Sequence, residues 1–320
     1  MRLAFFGSAY DPQVAHVLAL AAGRGHQVVL SGPEDWRGDG AVPHRLRIEG
    51  GVTTLDFGGG ALHDVDGVWV RHLIPPFPVV DTAAGLPPFD RAELFVLSMN
   101  LRERASLLFS AIDFLVAQGK PVLNPPAPGL GIQNKPTQLM LMAQAGVPVP
   151  ETLVSDDPDQ VRDFAKGRRV IFKPAAGGAL AVELKPEHDE NLGLIIKAPV
   201  IFQALVPGED VRVTMIDDQI LSAVVVETEA GQIDYRSSER YEAGLGTYRE
   251  VQLPEVVVKA VRATRRALGL RFTGIDVRLD PARPEAFVVL EANPSPTYLD
   301  IERKLGHPIS AGLVDALTAR

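Results

Sequence analysis

FTGIDVRLD (residues 272–280) and FVVLEANPSP (residues 287–296) are the two stretches that decide how this sequence is interpreted. Each is an apolar run that carries polar residues, as a buried strand with a functional end would. Side chains alternate between the two faces of a strand, so Glu291 and Asn293 share one face. If the two strands pair, the carboxylate of Asp276 comes to the same place. Oxygen donors of this kind suit Mg²⁺, so the sequence predicts a metal site; three unrelated polar residues capping strand ends are the alternative.

Composition limits the class of protein. The 320 residues, 46% of them hydrophobic, are enough for two or three packed units. A net charge of -8 without a long basic run argues against nucleic acid or a membrane surface as a partner. The absence of cysteine excludes disulfides, thiolate zinc sites and cysteine nucleophiles. No export signal or membrane segment is predicted, so we expect a cytoplasmic protein; whether it forms a homo-oligomer stays open.

The first 124 residues have the pattern of an α/β unit. Apolar runs separated by glycine turns and a helical repeat indicate a β-α-β opening. The predicted elements are strands at residues 3–6, 27–30 and 67–70 and helices at residues 12–24 and 92–118. The GxGxxG pattern is missing, which argues against a nicotinamide dinucleotide site.

Two lysines precede or follow predicted elements in a way that suits phosphate binding. Lys135 stands just before a helix predicted at residues 137–145, and Lys173 ends an apolar strand that leads into the small residues 175–179. Small residues allow backbone N–H groups to approach phosphate oxygens closely, with an ammonium group beside them. A solvated lysine and an ordinary strand exit are the alternatives.

A third feature is the apolar stretch PVIFQALV, residues 199–206, which leads into Pro-Gly-Glu-Asp. A chain that leaves a strand in this way presents backbone donors and acceptors to an adenine edge. Glu209 and Asp210 would then be placed for ribose hydroxyls. The next segment predicts two strands joined by a turn at Asp217 and Asp218.

The order of these motifs resembles that of a known family. The chain carries, in sequence, NKP (134–136), FKP (172–174), FQALVPGEDVRV (202–213), DYR (234–236), GIDVR (274–278) and LEANPSP (290–296). This order resembles the ATP-grasp ligases, which include D-alanine ligase and glutathione synthetase. It is most similar to the peptide-modifying ligases of the microviridin (graspetide) type, which are related to the ribosomal-protein glutamate ligases. The similarity extends from about residue 69 to the C-terminus.

The resemblance implies a fold of class α/β and α+β, the ATP-grasp fold preceded by a pre-ATP-grasp α/β domain. It implies three domains: residues 1–124, a small central domain at residues 125–198, and a C-terminal domain at residues 199–320. ATP would be bound between the last two, together with two Mg²⁺ ions.

The resemblance also implies roles for individual residues. Phosphates and adenine would be bound by Lys135 and Lys173, the adenine hinge would be Gln203, Ala204, Leu205 and Val206, and the ribose position would fall on Glu209 and Asp210. Magnesium ligands would be Asp276, Glu291 and Asn293. Arg236 and Arg278 would face the transferred phosphate or the acceptor carboxylate as catalytic residues, and Arg71 is a further acceptor-side candidate. The run after Asn293 departs from the microviridin-type pattern, and the stretch between Lys173 and Phe202 is short, which leaves the substrate open.

Lysines, arginines and metal ligands without a protein nucleophile suit a reaction that needs positioning and charge neutralisation. We therefore expect an ATP-dependent carboxylate ligase that forms an acyl phosphate and then an amide or ester. The favoured acceptor is a carboxylate on a peptide or protein side chain, with a small carboxylate as a further option. Residues 175–179 would act as a lid that excludes water. A phosphotransferase with the same ATP site and a non-catalytic nucleotide- or peptide-binding module are the alternatives.

Overall fold

The computed structural model describes residues 1–32, 35, 44–57, 60–72, 91–126, 134–176, 180–227, 233, 246–283 and 285–319. Within residues 91–101 it describes the side chains of 96, 99 and 100 only. The chain forms two units: Met1–Pro126 together with Ser310–Arg320, and Ala127–Ile309.

The first unit contains a parallel sheet. Among the described residues its strands are β1 (Arg2–Phe6), β2 (Gln27–Ser31), β6 (Gly67–Val70) and β7 (Val122–Leu123), in the order β2-β1-β6-β7. A small antiparallel sheet adds β3 (Arg45–Glu49), β4 (Val52–Phe57) and β5 (Gly60–Ala61). The helices are α1 (Pro12–Gly23), α2 (Arg91–Ala117) and, from the C-terminus, α7 (Ile309–Thr318). The α/β pattern predicted for the N-terminal part is confirmed.

The core of this unit shows what the C-terminal half of α2 packs against. Its residues Leu108, Ile112 and Leu115, spaced by three or four positions, are buried. They pack in one cluster with side chains of the parallel sheet and of β4, including Phe6 and Phe57, whose rings meet edge to face. Burial of one helical face against the sheet therefore holds α2 in place.

The second unit contains two antiparallel sheets. The first has the order β10-β9-β11-β8, formed by β8 (Thr152–Ser155), β9 (Val170–Pro174), β10 (Val182–Glu183) and β11 (Val200–Ala204). The second has the order β14-β13-β12-β15-β16, formed by β12 (Glu209–Ile216), β13 (Gln219–Val226), β14 (Tyr248–Glu250), β15 (Phe272–Leu279) and β16 (Phe287–Asn293). The helices are α3 (Lys135–Gln144), α4 (Pro158–Ala165), α5 (Glu255–Ala267) and α6 (Leu299–Leu305), with a 3₁₀ segment at Pro186–Lys197. The predicted turn at Asp217 and Asp218 joins β12 to β13, as expected.

The cores of the second unit follow the strand alternation. Phe172 and Phe202 lie on one face of the first sheet and pack with Val161 of α4. Helices α3 and α5 pack on the apolar face of the second sheet, where Leu139 and Val257 join the strand residues in one cluster. The opposite face of β12 and β15 carries the charged side chains of Asp210, Arg212, Asp276 and Arg278.

The contacts divide the chain into two units, and the three domains expected from sequence, residues 1–124, 125–198 and 199–320, stay a prediction. Helix α3 packs on the C-terminal sheet, although its residues were placed in the central domain at 125–198. Residues 310–320 belong to the first unit, where the Leu317 backbone lies against Gly67, although they were placed in the domain at 199–320. An amphipathic helix shows that one face is buried but does not show against which sheet.

Across the described residues, no helix combines the length and the apolar character needed to cross a membrane.

The contact between Gly67 and α7 gives a stability prediction. A Cβ at Gly67 would overlap the backbone carbonyl of Leu317, and neither backbone can move cheaply. We expect Gly67→Ala to lower the free energy of unfolding by about 1–3 kcal/mol in denaturant titrations. In the same unit, Gly23 at the end of α1 has open space at its Cβ position, so Gly23→Ala is the matched control and should change it by no more than about 1 kcal/mol. Equal effects of the two substitutions would contradict the assigned packing.

Candidate active site

The central strands β12 and β15 have one apolar and one charged face. Val211, Val213, Ile275 and Val277 form the apolar face in the core. On the other face Asp210 stands opposite Arg278, and Arg212 stands opposite Asp276. Both are ion pairs: Arg278 Nη2 lies 3.0 Å from Asp210 Oδ1, and Arg212 Nε and Nη2 lie 2.5 and 3.1 Å from the two oxygens of Asp276. All four side chains are at most 14% exposed, so the charges act on one another with little screening.

A bulge in β16 places the carboxylate of Glu291 beside that of Asp276. Val277 pairs with Val289, whereas the neighbouring Asp276 pairs with Glu291, so β16 has one extra residue, Leu290. In a regular strand Glu291 would share the face of the buried Val289. The bulge turns Glu291 to the charged face instead, directly opposite Asp276.

Helix α3 reaches this strand with two side chains. The ammonium group of Lys135, in the first turn, forms an ion pair with Glu291 Oε2. One turn later, the Gln138 amide donates to the carbonyl of Ala292 at 2.9 Å and accepts from its N–H at 2.8 Å. Each carboxylate of the Asp276–Glu291 pair therefore has its own cation, one from a strand and one from a helix.

A cavity adjoins the charged face, and the first sheet of the unit forms its other wall. Its lining comprises Pro150, Ile171, Lys173, Ala181, Gln203, Ala204, Leu205, Val206, Asp210, Ile233, Asp276, Arg278, Leu290 and Glu291. It encloses about 610 Å³ of empty space, which includes open solvent at its mouth. The lining combines apolar side chains with two cations, Lys173 and Arg278, and with three carboxylates, which suits a ligand that has a flat ring and phosphates accompanied by metal ions.

Residues 203–206 are the segment expected to contact adenine, and hydrogen bonds within the protein already use some of its donor groups. Ala204 N–H donates to Glu151 O at 3.0 Å, and Leu205 N–H donates to Arg169 O at 2.9 Å. The Gln203 side chain is 1% exposed and donates to Thr152 Oγ1 at 2.9 Å. The N–H groups of Ala204 and Leu205 are therefore used within the protein, whereas among the described residues the N–H of Val206 makes no such bond and can meet a base edge.

Two expected ligands lie apart from the cavity lining. Glu209 neighbours Asp210 on β12 and so points to the other side; its carboxylate pairs with Arg249 of β14 at 2.8 Å. Asn293 is exposed, and its Oδ1 accepts from the Ser295 N–H at 2.9 Å. Asn293 does share a strand side with Glu291 as the sequence indicated, whereas Glu209 is not brought to the cavity.

The structure brings nine of the expected residues into one cavity lining: Lys173, Gln203, Ala204, Leu205, Val206, Asp210, Asp276, Arg278 and Glu291. Lys135 contacts this lining through its ion pair with Glu291. Arg236 lies outside the described residues, and so do residues 177–179 of the expected lid. The sequence did not single out Arg212 or Gln138. The spacing of Arg212 two residues after Asp210 would have placed it on the same strand face, but nothing in the sequence marks Gln138.

The donor set fits Mg²⁺ bound together with a polyphosphate. Among the described residues there is no group of three or more His, Cys, Asp or Glu that could hold a metal ion. Mg²⁺ usually takes one or two carboxylates and completes its shell with phosphate oxygens and water. Asp276 and Glu291, opposed on adjacent strands and each beside a cation, provide that pair of hard oxygen ligands.

Gly274 leaves room for the arginine that binds Asp276. A Cβ at this position would lie 2.7 Å from the Pro296 ring and 3.1 Å from Arg212 Nη1. The glycine of the GIDVR segment therefore has a steric reason in this strand: a larger residue would displace the guanidinium group.

Arg71, the further acceptor-side candidate, belongs to a separate cluster within the first unit. Its Nε lies 2.9 Å from Asp11 Oδ2, and His72 Nε2 lies 3.1 Å from the same oxygen. Asp11 also caps α1 by accepting from the Gln13 N–H at 2.8 Å. Burial alone would raise the pKa of Asp11, but the hydrogen bonds from His72 and Arg71 and the Arg71 charge outweigh it and hold the pKa far below its usual value. These contacts give Arg71 a structural role in fixing the start of α1.

Comparison with known proteins identifies this arrangement. Residues 132–298, about half of the chain, match the ATP-grasp domain family. A curated relative, "Probable alpha-L-glutamate ligase" of Chromohalobacter salexigens, is 26% identical over 195 residues, which cover 57% of this chain and 62% of that protein. The match thus spans less than two thirds of the relative's length.

Solved structures match over almost the whole chain. The ATP-grasp ligase PsnB, complexed with a phosphomimetic variant of a minimal precursor, Mg and ADP, is 29% identical with a TM-score of 0.82, covering 99% of this chain and 97% of PsnB. The macrocyclase MdnC of Microcystis aeruginosa MRC, bound with its precursor peptide MdnA, is 20% identical with a TM-score of 0.76 and covers both chains fully. The second likeness concerns the fold alone.

The lowered pKa of Asp11 gives a prediction about acid stability. A carboxyl group whose pKa is depressed on folding stabilises the protein above the pKa of the unfolded chain, near 3.8, and this stabilisation is lost as the pH falls toward the folded value. We expect the wild-type free energy of unfolding to fall more steeply between about pH 5 and pH 3 than that of Asp11→Asn. Denaturant titrations across this range measure it. Asp113→Asn, at an exposed carboxyl of α2, is the control and should keep the wild-type slope; an unchanged slope in Asp11→Asn would contradict the ion-pair assignment.

Proposed function

The chain belongs to the ATP-grasp family, and we propose that it is an ATP-dependent carboxylate ligase that acts on a side-chain carboxylate of a peptide or protein. The observation that carries the proposal is the cavity in which two opposed carboxylates adjoin Lys135, Lys173, Arg212 and Arg278. No protein nucleophile is needed for such a reaction, since its demands are positioning and charge neutralisation.

ATP is the proposed phosphoryl donor. Its adenine would lie against Ile171 and Leu290 with its edge toward the Val206 N–H, and its phosphates would extend toward Lys173 and Lys135. Asp210 is the carboxylate of the lining that is placed for ribose hydroxyls. Glu209 is less suited to this role, because it pairs with Arg249 on the other side of the sheet.

Asp276 of β15 and Glu291 of β16 would hold two Mg²⁺ ions, which neutralise phosphate charge when bound. Asn293, on the same side of β16 as Glu291 but outside the cavity lining, is the third proposed ligand. Lys135 and Arg212 now neutralise the two carboxylates. With Mg²⁺ and phosphates bound, Lys135 and Arg212 would be released from the carboxylates and could contact phosphate oxygens. The same residues therefore keep the charges of the site balanced both with and without its ligands.

The chemistry would proceed in two steps. An oxygen of the substrate carboxylate attacks the γ-phosphorus, and the bond from that phosphorus to ADP breaks, which gives an acyl phosphate. An amine or hydroxyl then attacks the acyl carbon, loses its proton, and expels inorganic phosphate, which leaves an amide or ester. Arg278 would offset the negative charge that develops at the tetrahedral stage, because its guanidinium faces the cavity and is held by Asp210 and the Gly208 carbonyl.

A peptide acceptor is supported by the solved structures that cover the chain. PsnB, at 28% identity, is described in complex with a precursor peptide, and the curated relatives are named alpha-L-glutamate ligases, which fits glutamate as one of the groups that are joined. The proposed nucleophile is an amine or hydroxyl of the same or a second peptide.

The test combines a substrate panel with one substitution. Purified protein, ATP and Mg²⁺ are incubated with peptides that contain Glu or Asp together with Lys, Ser or Thr, and ADP release and product mass are followed. Wild type should release ADP with an active peptide, whose product loses one water. Glu291→Gln should reduce this rate by about 100-fold or more while the protein stays folded, since it removes a charged metal ligand.

Glu255→Gln, at an exposed carboxyl of α5, is the matched control and should keep the wild-type rate. Retained turnover in Glu291→Gln would contradict the metal assignment. A peptide that gains a phosphoryl group instead of losing water would replace the ligase by a phosphotransferase, and ATP binding without turnover across the panel would favour a binding module.

A further inference from the structure

Gln138 makes a paired contact with the backbone of the metal-ligand strand. Its side-chain amide donates to Ala292 O at 2.9 Å and accepts from Ala292 N at 2.8 Å, across 154 positions of sequence. Gln138 is 5% exposed and Ala292 is 1% exposed, so both hydrogen bonds are shielded from water. Loss of this side chain would leave a buried donor and a buried acceptor without partners.

The strand concerned is at the edge of its sheet. In the order β14-β13-β12-β15-β16, β16 pairs with a strand on one side only among the residues that the structure describes. A carboxamide carries one acceptor and N–H donors in the arrangement of a peptide group, so Gln138 takes the place of a neighbouring strand at one residue. The chain that follows α3 adds a second such contact, because Val289 N–H donates to Pro148 O at 2.8 Å.

The position of the contact matters because of the bulge. A bulge interrupts the ladder and leaves the local strand direction less fixed by its partner. In β16 the irregularity falls just before Glu291, and Ala292 is the next residue, between Glu291 and Asn293. Fixing both backbone groups of Ala292 therefore sets the peptide planes on either side and with them the directions of both neighbouring side chains.

We propose that Gln138 is a positioning residue for the metal ligands: it holds Ala292 so that Glu291 faces Asp276. This inference rests on the proposed function, since it concerns the same metal site. Helix α3 thereby has two linked tasks. Lys135, three positions earlier on the same helical face, pairs with Glu291, and Gln138 fixes the strand that carries Glu291.

The test compares nucleotide affinity with and without Mg²⁺. Gln138→Met keeps the side-chain length and removes both hydrogen bonds. Calorimetric titration with ADP should show affinity in the presence of Mg²⁺ weakened by about 10- to 100-fold, the usual effect of losing a partner that orients a metal ligand. Affinity for ADP without Mg²⁺ should stay within about twofold of wild type, because Gln138 is not part of the cavity lining.

Two further variants separate positioning from mere stability. Met142→Ala removes a fully buried side chain from the same helix and should lower the melting temperature while the Mg²⁺-dependent gain in ADP affinity stays at the wild-type level. Gln138→Glu keeps an acceptor for the Ala292 N–H but has no donor for the Ala292 carbonyl. Its Mg²⁺-dependent gain in ADP affinity should therefore lie between those of wild type and Gln138→Met. In the ligand-free protein, hydrogen exchange at Ala292 should be faster in Gln138→Met than in Met142→Ala.

An unchanged Mg²⁺-dependent gain in Gln138→Met, or an equal loss in Met142→Ala, would overturn the proposal while the wild-type protein still binds MgADP. Wild-type protein that gains no ADP affinity from Mg²⁺ would be the failure of the proposed function itself, and the positioning role would fall with it.

Discussion

Two carboxylates that face each other on neighbouring strands, Asp276 and Glu291, are the constraint on which this structure depends. Like charges at directly opposed positions repel, and here both side chains are less than a fifth exposed. Each carboxylate forms an ion pair with its own cation: Asp276 with Arg212 of β12, and Glu291 with Lys135 of α3. Lys135 of α3, the glycine beside Arg212 at position 274, and the ion pairs along β12 and β15 all help to keep this largely buried charged group balanced.

Much of this site could be predicted from sequence, because strand alternation is a local property. The polar residues of GIDVR and the apolar residues between them fall on opposite faces as the two-residue repeat requires. Glu209 and Asp210 were both expected at the ribose, but neighbours on a strand point to opposite sides. A binding role for both residues on one surface does not agree with that geometry.

Other features depend on contacts that no local pattern contains. The bulge at Leu290 is needed to turn Glu291 away from the core, and an apolar run before a glutamate does not reveal it. The partner of α3 is decided by which sheet its apolar face meets, and it is the sheet of β16. Gln138 is an ordinary helical glutamine in sequence, and its link to Ala292 exists only in the folded chain.

The most direct test is to locate the metal. Crystals grown with ADP and Mn²⁺ in place of Mg²⁺ give anomalous scattering that marks each ion. The account predicts an ion at about 2.2 Å from carboxylate oxygens of both Asp276 and Glu291, with Lys135 moved onto phosphate. An ion bound elsewhere, with both carboxylates still paired to Lys135 and Arg212, would contradict it.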